Sequence, residues 1–414
     1  MDRILQLITK IFLIGGALAL LSANALASAY YVSPTGSDSN NGTSSSTPFL
    51  TLEKAQMAMQ SSSIKTTYLM GGVYSRSATL TLGNADAGES WLAYPGQTPI
   101  LDGGNTLSTG ITVAGTSNVT IRWMTLRNFV GTAIGIYKVT GSLFDSNTIY
   151  NITGPALSNG AYTAKGIGIV IYGALISSTI SHNLIYNTTN HGIHMTPDPK
   201  SPSTPNQNVT IDSNYIHDVN SYPGLYDTGG IYLNDRLHAQ SGIIISNNEV
   251  ANYGNTTTGI GARAIYLDDE SSNVVIHDNV ITGNGAWGLQ IHGGNDVSVY
   301  NNVFDITLAT QGIGVYQDDV SSGWPNYGMQ NNVFYNNTIY MDCNTVRSLV
   351  PWYYADATNG GIAMLSDYSN TYYNLSSSIV NSGHVIDSSP SYNSGCASLQ
   401  TLKPSLSTVG PTAH

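Results

Sequence analysis

The sequence predicts an all-β fold, a right-handed parallel β-helix of three sheets with a short N-terminal capping helix. Three observations predict it: a recurring Asn motif, three short strands in each repeat, and a very low content of charged residues. Charged residues make up 9% of the 414 residues, whereas ordinary globular domains contain about 25%. Many Gly, Asn and β-branched residues with so little charge indicate stacked short strands.

An asparagine followed by apolar residues recurs along the chain. Successive motifs lie between 23 and 36 residues apart, a period that indicates a solenoid or a propeller. The variable spacing favours a β-helix, because loops can lengthen between coils without disturbing the stack. Since Asn tolerates turn geometry, we expect a ladder of stacked asparagines at one corner of the coils. The predicted rungs are Asn147, Asn183, Asn214, Asn248, Asn279, Asn302 and Asn332.

Each repeat contains three short strands. Val209-Thr210-Ile211 leads into an Asn turn, a second strand follows, and the third opens with Gly, as in Gly230-Ile231-Tyr232-Leu233. Side chains alternate between the two faces of a strand. Ile231 and its equivalents are therefore expected in the core, and Tyr232 and its equivalents on the outside.

The start of the chain is predicted to be a secretory signal over residues 1–27. It has a basic beginning, an apolar run and small residues suited to cleavage; an uncleaved membrane anchor is the alternative. We expect the mature protein, residues 28–414, to be a single domain that is secreted or periplasmic, with no membrane contact after cleavage. Cys343 and Cys396 could form a disulfide in an oxidising compartment, or remain two buried thiols.

Within that domain, three segments are expected. Residues 30–75 would form an N-terminal cap, with a short amphipathic helix from Phe49 to Met59 covering the open end of the core. Residues 76–340 would form the coils. The repeat fades after about Tyr340, so residues 341–414 are predicted to close the C-terminal end.

The charge balance bears on the partner. A net charge of −11 argues against nucleic acid, whose binding needs a basic surface, and weakly against a strongly anionic polymer. The predicted partner is an extracellular polysaccharide or oligosaccharide, bound by a monomer.

Outward side chains of the Gly-led strands should stack in columns, one residue per coil. The first column comprises His194, Tyr232, Tyr266, Gln290 and Gly314. The second comprises Thr196, Asn234, Asp268, His292 and Tyr316. Polar, aromatic and titratable residues crowded on coils about 4.8 Å apart are typical of a sugar-binding groove.

Acidic residues concentrate at the same strands. Asp227 precedes one Gly-led strand, and Asp268 and Asp269 end the next. Glycoside hydrolysis requires two carboxyls, one protonated and one ionised, and neighbouring coils could place them about 5 Å apart. The predicted catalytic residues are therefore Asp227, Asp268 and Asp269.

Other interpretations of these acids stay open. The turn Asp268-Asp269-Glu270 could bind calcium or cap a turn, although no cofactor is otherwise expected, and Asp227 could form an ordinary Asx turn. A lyase or epimerase could use Lys165 or Arg263 with His194 or His292. A non-catalytic carbohydrate-binding β-helix is the third alternative.

Four ordered segments carry a family resemblance: His191 to His194, Asp227 to Tyr232, Arg263 to Asp269, and Ile291 to Gly294. They resemble the signature of right-handed β-helix glycoside hydrolases of the α-fucosidase and xylanase kind, within the pectate-lyase-like superfamily. The resemblance covers roughly Tyr30 to Phe334 and implies that Asp227, Asp268 and Asp269 carry the acids. Ala264 departs from the pattern, because the strand normally opens with Gly.

The leading prediction is a secreted glycoside hydrolase without a bound metal. The side chains expected to contact the sugar are His191, His194, Tyr232, Asn234, Asp235, Arg263, Tyr266, Gln290 and His292.

Overall fold

In a computed structural model the chain winds into coils, and each coil contributes one strand to each of three parallel sheets. The structure describes residues 28–154, 165–197, 205–220, 227–236, 238–254, 262–317, 329–341, 352–356 and 365–374. The three-sheet parallel solenoid predicted from the sequence is confirmed.

The three sheets are named A, B and C. Within the described residues, sheet A contains β1 (Tyr30–Val32), β2 (Thr66–Leu69), β5 (Ser90–Ala93), β8 (Thr120–Arg122), β11 (Leu143–Asp145), β15 (Thr179–Ser181), β18 (Thr210–Asp212), β21 (Ile243–Ser246), β24 (Val274–His277), β27 (Ser298–Tyr300), β30 (Asn332–Tyr335) and β33 (Leu365–Tyr368). Sheet B contains β3 (Gly72–Ser75), β6 (Pro99–Asp102), β9 (Thr125–Arg127), β12 (Thr148–Ile152), β16 (Leu184–Thr188), β19 (Tyr215–His217), β22 (Glu249–Ala251), β25 (Val280–Thr282), β28 (Val303–Asp305), β31 (Thr338–Met341) and β34 (Thr371–Asn374). Sheet C contains β4 (Leu80–Leu82), β7 (Thr109–Ser117), β10 (Thr132–Thr140), β13 (Ile167–Tyr172), β17 (Ile193–Thr196), β20 (Thr228–Asn234), β23 (Ala262–Asp268), β26 (Asn284–His292), β29 (Leu308–Gln317) and β32 (Trp352–Asp356), with β14 (Leu175–Ile176) also paired to β10.

The core is a continuous column of aliphatic side chains inside the three sheets. Ile193 pairs with Ile231, Ile231 with Ile265, and Ile265 with Leu289, and all four are fully buried. In three of these four strands the core residue follows a glycine that also faces inward. A Cβ at Gly230 would lie 2.5 Å from Val250 Cγ1 and 2.8 Å from the Ala264 carbonyl oxygen, so the position favours the smallest side chain.

The N-terminal helix is α1, Leu52–Gln60, one to three residues later than predicted. Thr51 caps it by accepting a hydrogen bond from the Lys54 amide at 3.2 Å. Leu52, Ala55 and Met59 are buried in the core cluster, as expected for a helix that covers the first coil.

The predicted N-terminal cap, residues 30–75, contains strands as well as the helix. Strand β1 pairs in parallel with β2, and β3 pairs with β6. Residues 30–75 therefore contribute the first strands of sheets A and B in addition to the helix. The cause is local: Tyr30-Tyr31-Val32 has the β-branched and aromatic composition of a strand and meets an equally apolar partner in Tyr68-Leu69.

The asparagine ladder forms, with one correction. Asn147, Asn183, Asn214, Asn248, Asn279 and Asn302 bond to one another in order, and the ladder then continues to Asn337 and Asn370. Asn332, predicted as the seventh rung, lies at another corner. It begins β30, accepts from the Val297 amide and donates to the Gly294 carbonyl. The sequences around Asn332 and Asn337 both place Asn before apolar residues, so the motif alone cannot separate them.

The repeat also extends further than predicted. Strands β32, β33 and β34 continue sheets C, A and B in register beyond residue 341. The predicted signal at residues 1–27 and both cysteines lie outside the described residues. Among those described, no helix is long and apolar enough to cross a membrane.

Replacing one rung tests the ladder. In Asn248→Ala we expect the free energy of unfolding to fall by about 2–5 kcal/mol, because buried partners on both neighbouring coils lose hydrogen bonds. Asn248 donates to the Ile211 carbonyl and to Asn279, and accepts from the Asn214 amide and side chain. Urea denaturation measures the change.

The matched control is Asn247→Gly, at the exposed neighbouring position. Asn247 has φ 53°, which glycine adopts readily; its side chain donates to Asp212, and its backbone amide bond to the His277 carbonyl is kept in the glycine variant. A loss in the control equal to that in Asn248→Ala would contradict the role assigned to the ladder.

Candidate active site on sheet C

The first predicted column is confirmed by the strand register. His194 pairs with Tyr232, Tyr232 with Tyr266, Tyr266 with Gln290, and Gln290 with Gly314. These side chains do not line an open groove, however. His194 is only 4% exposed, and Tyr266 and Gln290 are buried as well. The column is closely packed, so its side chains hold the neighbouring groups in place and expose little surface to a ligand.

Four rings from three coils stack in this column. His191 lies 4.8 Å from His194 and 4.7 Å from Tyr232, between ring centroids; Tyr232 lies 5.1 Å from Tyr266. His191 accepts a hydrogen bond from the Gly229 amide through Nδ1 at 3.0 Å, so its ring is neutral. Burial lowers the pKa of His191 well below its usual value and lowers that of His194 to about 3.

Asp268, the last residue of β23, accepts hydrogen bonds from side chains of three successive coils. Its carboxylate accepts from Tyr232 Oη at 2.6 Å, Tyr266 Oη at 2.7 Å and His292 Nδ1 at 2.7 Å. Burial alone would raise its pKa, but the hydrogen bond and charge of His292 and the two hydroxyls outweigh burial and lower it. Asp268 is therefore a buried, ionised and rigidly held carboxylate.

Asp269 follows in a left-handed conformation, with φ 48°. Its carboxyl accepts from Arg236 Nε at 2.6 Å and from the Asn234 side-chain amide. Burial, and next the charge of Asp268, raise the pKa of Asp269, although Arg236 opposes them. Two adjacent carboxyls thus have pKa values driven in opposite directions.

Asp268, Asp269 and His292 together form a group with cation-binding geometry. One ligand atom from each residue lies within 4.8 Å of the others. Calcium at the turn from Asp268 to Glu270 was one interpretation of the sequence, but it did not include His292, which meets the two acids only through the stacking of β23 on β26. Two carboxylates and an imidazole suit a divalent cation, and calcium at this turn stays an open interpretation.

The predicted pairing of Asp227 with Asp268 stays a prediction. Asp227 precedes β20, whereas Asp268 ends β23, and the register places these backbone positions at opposite ends of neighbouring strands. Asp227 is 56% exposed at its side chain, and Arg263 and Tyr266 lie between the two acids.

Arg263 pairs with an acid, as the sequence suggested. Its Nη1 lies 3.6 Å from Asp227 Oδ1, its Nε donates to the Gln290 side chain, and its Cζ lies 4.3 Å from the Tyr266 ring centroid. These contacts fix the buried guanidinium against the aromatic column. Arg263 therefore positions Tyr266, which in turn bonds Asp268.

The remaining predicted residues separate into two groups. Asn234 and His292 join the carboxyls directly, as described above. Asp235 is fully buried, and its Oδ2 accepts from the Ala239 and Gln240 amides at 2.7 and 2.6 Å, so it closes a turn beside the site. Lys165, an alternative base, is exposed and lies just before β13, at the end of sheet C opposite the carboxyls.

Arg236 was missing from the predicted site. It is the cation on Asp269, and its own side chain is 43% exposed, so it lies where the carboxyl pair meets solvent. The segment Asn234-Asp235-Arg236, at the end of the strand, could have indicated this contact. Polar residues at the end of one strand lie beside the polar residues at the equivalent end of the next coil.

Comparison with known proteins identifies the family to which this fold belongs. The family model described as right handed beta helix region matches residues 102–304 and 179–375, and the chain belongs to that family. No curated protein matches the chain by sequence.

Several solved structures share the fold. The structure described as the complex of XylC with xylose has a TM-score of 0.55 and 12% identity, over 84% of this chain and 75% of that one. The A-module of the mannuronan C-5 epimerase AlgE4 from Azotobacter vinelandii has a TM-score of 0.52 and 17% identity, over 78% and 90%. The alginate lyase from Paenibacillus sp. str. FPU-7 has a TM-score of 0.50 and 16% identity, over 78% and 93%. At these identities the likeness establishes the fold.

The buried histidine predicts acid sensitivity. The pKa of His194 is about 3 in the folded chain and 6.5 when solvated. Between these values the unfolded chain binds a proton that the folded chain does not, so stability falls as pH drops below 6.5 and levels off near 3. His194→Phe keeps a stacked ring and removes this titration.

We therefore expect His194→Phe to lose less stability than the wild type on acidification from pH 7.5 to pH 5, by about 2 kcal/mol. Urea midpoints at the two pH values measure the difference. Equal losses in both proteins would show that His194 is not a buried neutral histidine.

Proposed function

We propose that this chain is a secreted glycoside hydrolase that cleaves a polysaccharide, with Asp268 and Asp269 as its working carboxyls. The observation that carries the proposal is the placement of the two carboxyls: they bring oxygen atoms within 4.8 Å of each other, with Asp268 under three side-chain donors and Asp269 on Arg236. These surroundings lower the pKa of Asp268 and raise that of Asp269. Pairs of titratable groups driven apart in this way are the usual source of an acid and a base in one site.

The environments assign the roles. Asp269 retains its proton more readily because it is buried and faces the charge of Asp268, so it is the candidate general acid for the leaving sugar oxygen. Asp268 stays ionised under three side-chain donors, and an ionised carboxylate stabilises the positive charge that develops on the sugar ring. Tyr232, Tyr266 and His292 position Asp268.

Local charge supports an uncharged sugar as substrate. The site contains three acids, Asp227, Asp268 and Asp269, and two arginines, Arg236 and Arg263. Each arginine already pairs with one of these acids. A uronate carboxylate would therefore compete with these acids for the same two guanidinium groups, at an energetic cost. The net charge of −11 for the whole chain has the same sign.

Several structural relatives are described as acting on glycans, among them the epimerase and the alginate lyase above and a further neighbour described as a glycoside hydrolase. We extend polysaccharide action to this chain on the basis of the site. Export by removal of residues 1–27, action as a monomer, and a Cys343–Cys396 disulfide remain parts of the same proposal.

Elimination or epimerisation at a uronate is the second candidate, and the Asp268–His292 pair favours it. A carboxylate on Nδ1 fixes the tautomer and places the imidazole lone pair on Nε2, where it can act as a base. A cation held by Asp268 and Asp269 would supply the positive charge that a uronate requires. No step of the hydrolytic proposal depends on that cation.

The decisive experiment measures new reducing ends and unsaturated product on a panel of neutral and anionic polysaccharides. We expect reducing ends without unsaturation, and a fall in kcat/KM of about 100-fold or more in Asp269→Asn and Asp268→Asn. Asp218→Asn is the matched control, since it removes an exposed acid that follows β19 of sheet B, and it should retain activity within about tenfold; Asp227→Asn tests the third predicted acid.

Circular dichroism and thermal melting verify that the variants are folded, which matters most for Asp268→Asn. Unsaturated product that a chelator abolishes would overturn the hydrolase and favour elimination. Full activity in both Asp268→Asn and Asp269→Asn would remove the carboxyl pair from the mechanism.

A further inference from the structure

Trp123 stands out at the corner between β8 and β9. Equivalent corner residues on later coils donate their amide to the next coil in the same way, and all have positive φ: Ser146, His182, Ser213, Asn247, Asp278 and Asn301. Trp123 makes the same bond, to the Asp145 carbonyl, with φ 61°. Among the described residues, it is the only tryptophan, tyrosine or phenylalanine in this left-handed region.

This conformation is unfavourable for a bulky side chain, whereas Asn and Asp tolerate it. Trp123 is also 45% exposed, so core packing does not require it. A strained residue that packing does not explain points to function, and an exposed indole is a large apolar surface on which a ligand can stack.

Polar groups are organised around the indole. The Arg122 guanidinium lies over the Trp123 ring, with Cζ 4.0 Å from the centroid, and its Nε donates to Asp145 at 2.7 Å. Asp145 also accepts from His182 Nδ1 at 2.8 Å and from Ser146 and Ser181. The buried carboxylate thus holds an arginine over the tryptophan and a 57% exposed histidine two coils further along the same corner.

We propose that Trp123, with Arg122 over one face of its ring and His182 further along the same corner, is a second polysaccharide-binding site, separate from the carboxyl pair. The face of the indole opposite Arg122 would stack on the apolar C–H face of a neutral sugar, and the N–H groups of Arg122 and His182 would donate to hydroxyls of the polymer. The ligand class rests on the proposed function, because the same polymer would be bound here and cut on sheet C.

The two sites are well separated. Trp123 belongs to the coil of β7, five strand spacings from β23 along sheet C, or about 24 Å along the axis, and it lies at the corner between sheets A and B. A long polymer anchored at Trp123 would keep its other segments near the carboxyls at a raised effective concentration. A short oligosaccharide would gain nothing from this anchoring.

The test uses Trp123→Asn in the full chain. Asn suits the left-handed backbone, so this variant should melt at or above the wild-type temperature while losing the stacking surface. The probe is affinity gel electrophoresis with xylan, glucomannan, galactan, pectate or alginate in the gel. We expect at least one neutral polymer to retard the wild type, with retardation lost in Trp123→Asn.

Met57→Ala is the matched control, because it removes an exposed apolar side chain from α1 and should be retarded like the wild type. On the retarding polymer, Trp123→Asn should raise KM several-fold with kcat unchanged, and its kinetics on short oligosaccharides of the same sugar should equal those of the wild type.

The following results would overturn the proposal: equal retardation of wild type and Trp123→Asn, no retardation of the wild type by any polymer, or a wild-type dimer that Trp123→Asn dissociates without changing retardation. Failure of the proposed hydrolysis is distinguishable. Asp268→Asn and Asp269→Asn would then keep full activity, while Trp123→Asn would still lose its retardation.

Discussion

The asparagine ladder is the interaction on which the rest of the structure depends. A corner buried between sheets A and B must provide partners for its backbone amides and carbonyls. Asn214 provides several at once: it accepts from the Asn183 amide and side chain, and donates to the Ile180 carbonyl and to Asn248. Because every rung bonds the coils before and after it, a slip of one coil by a single residue would leave groups unsatisfied on both sides.

The register fixed by the ladder creates the site. Tyr232, Tyr266 and His292 come from three successive strands of sheet C, yet all three donate to the one carboxylate of Asp268. No local segment could place them so, because they are separated by whole coils along the chain. The stack thereby supplies enough donors to keep a buried aspartate ionised, and that charge then raises the pKa of Asp269 next to it. The rigid solenoid is in this sense the cause of the opposed pKa values.

The sequence was sufficient for whatever depends on periodicity. The alternation of Ile231 and Tyr232 and their equivalents predicted the core, the outward column and the three-sheet solenoid, because each is a property of one repeat copied along the axis. The prediction from sequence was wrong where two positions share a local pattern. Asn332 and Asn337 have similar neighbours, and only the strand boundaries show that Asn332 begins β30 while Asn337 ends the turn after it.

The contacts within the site were harder to predict, for a related reason. Asp227 and Asp268 lie on neighbouring coils, but one precedes its strand and the other ends it, and Arg263 and Tyr266 lie between them. Conversely, the bond from Arg236 to Asp269 joins two loop residues with no periodicity to mark it. Distances along a coil and contacts between its turns depend on where each strand begins and ends, which sequence patterns locate only within a few residues.

The ladder also explains the left-handed backbone conformation of Trp123. The residue before each rung must adopt a left-handed conformation, whatever its identity, because its amide bonds the neighbouring coil while the next residue bonds the ladder. For Trp123 the next residue is Met124, whose amide donates to Asn147 at 3.1 Å. The backbone strain at this corner is thus imposed by the fold, and it is lowest for Asn or Asp. A tryptophan there costs stability that the fold does not require, so its presence is better explained by what its exposed ring can bind.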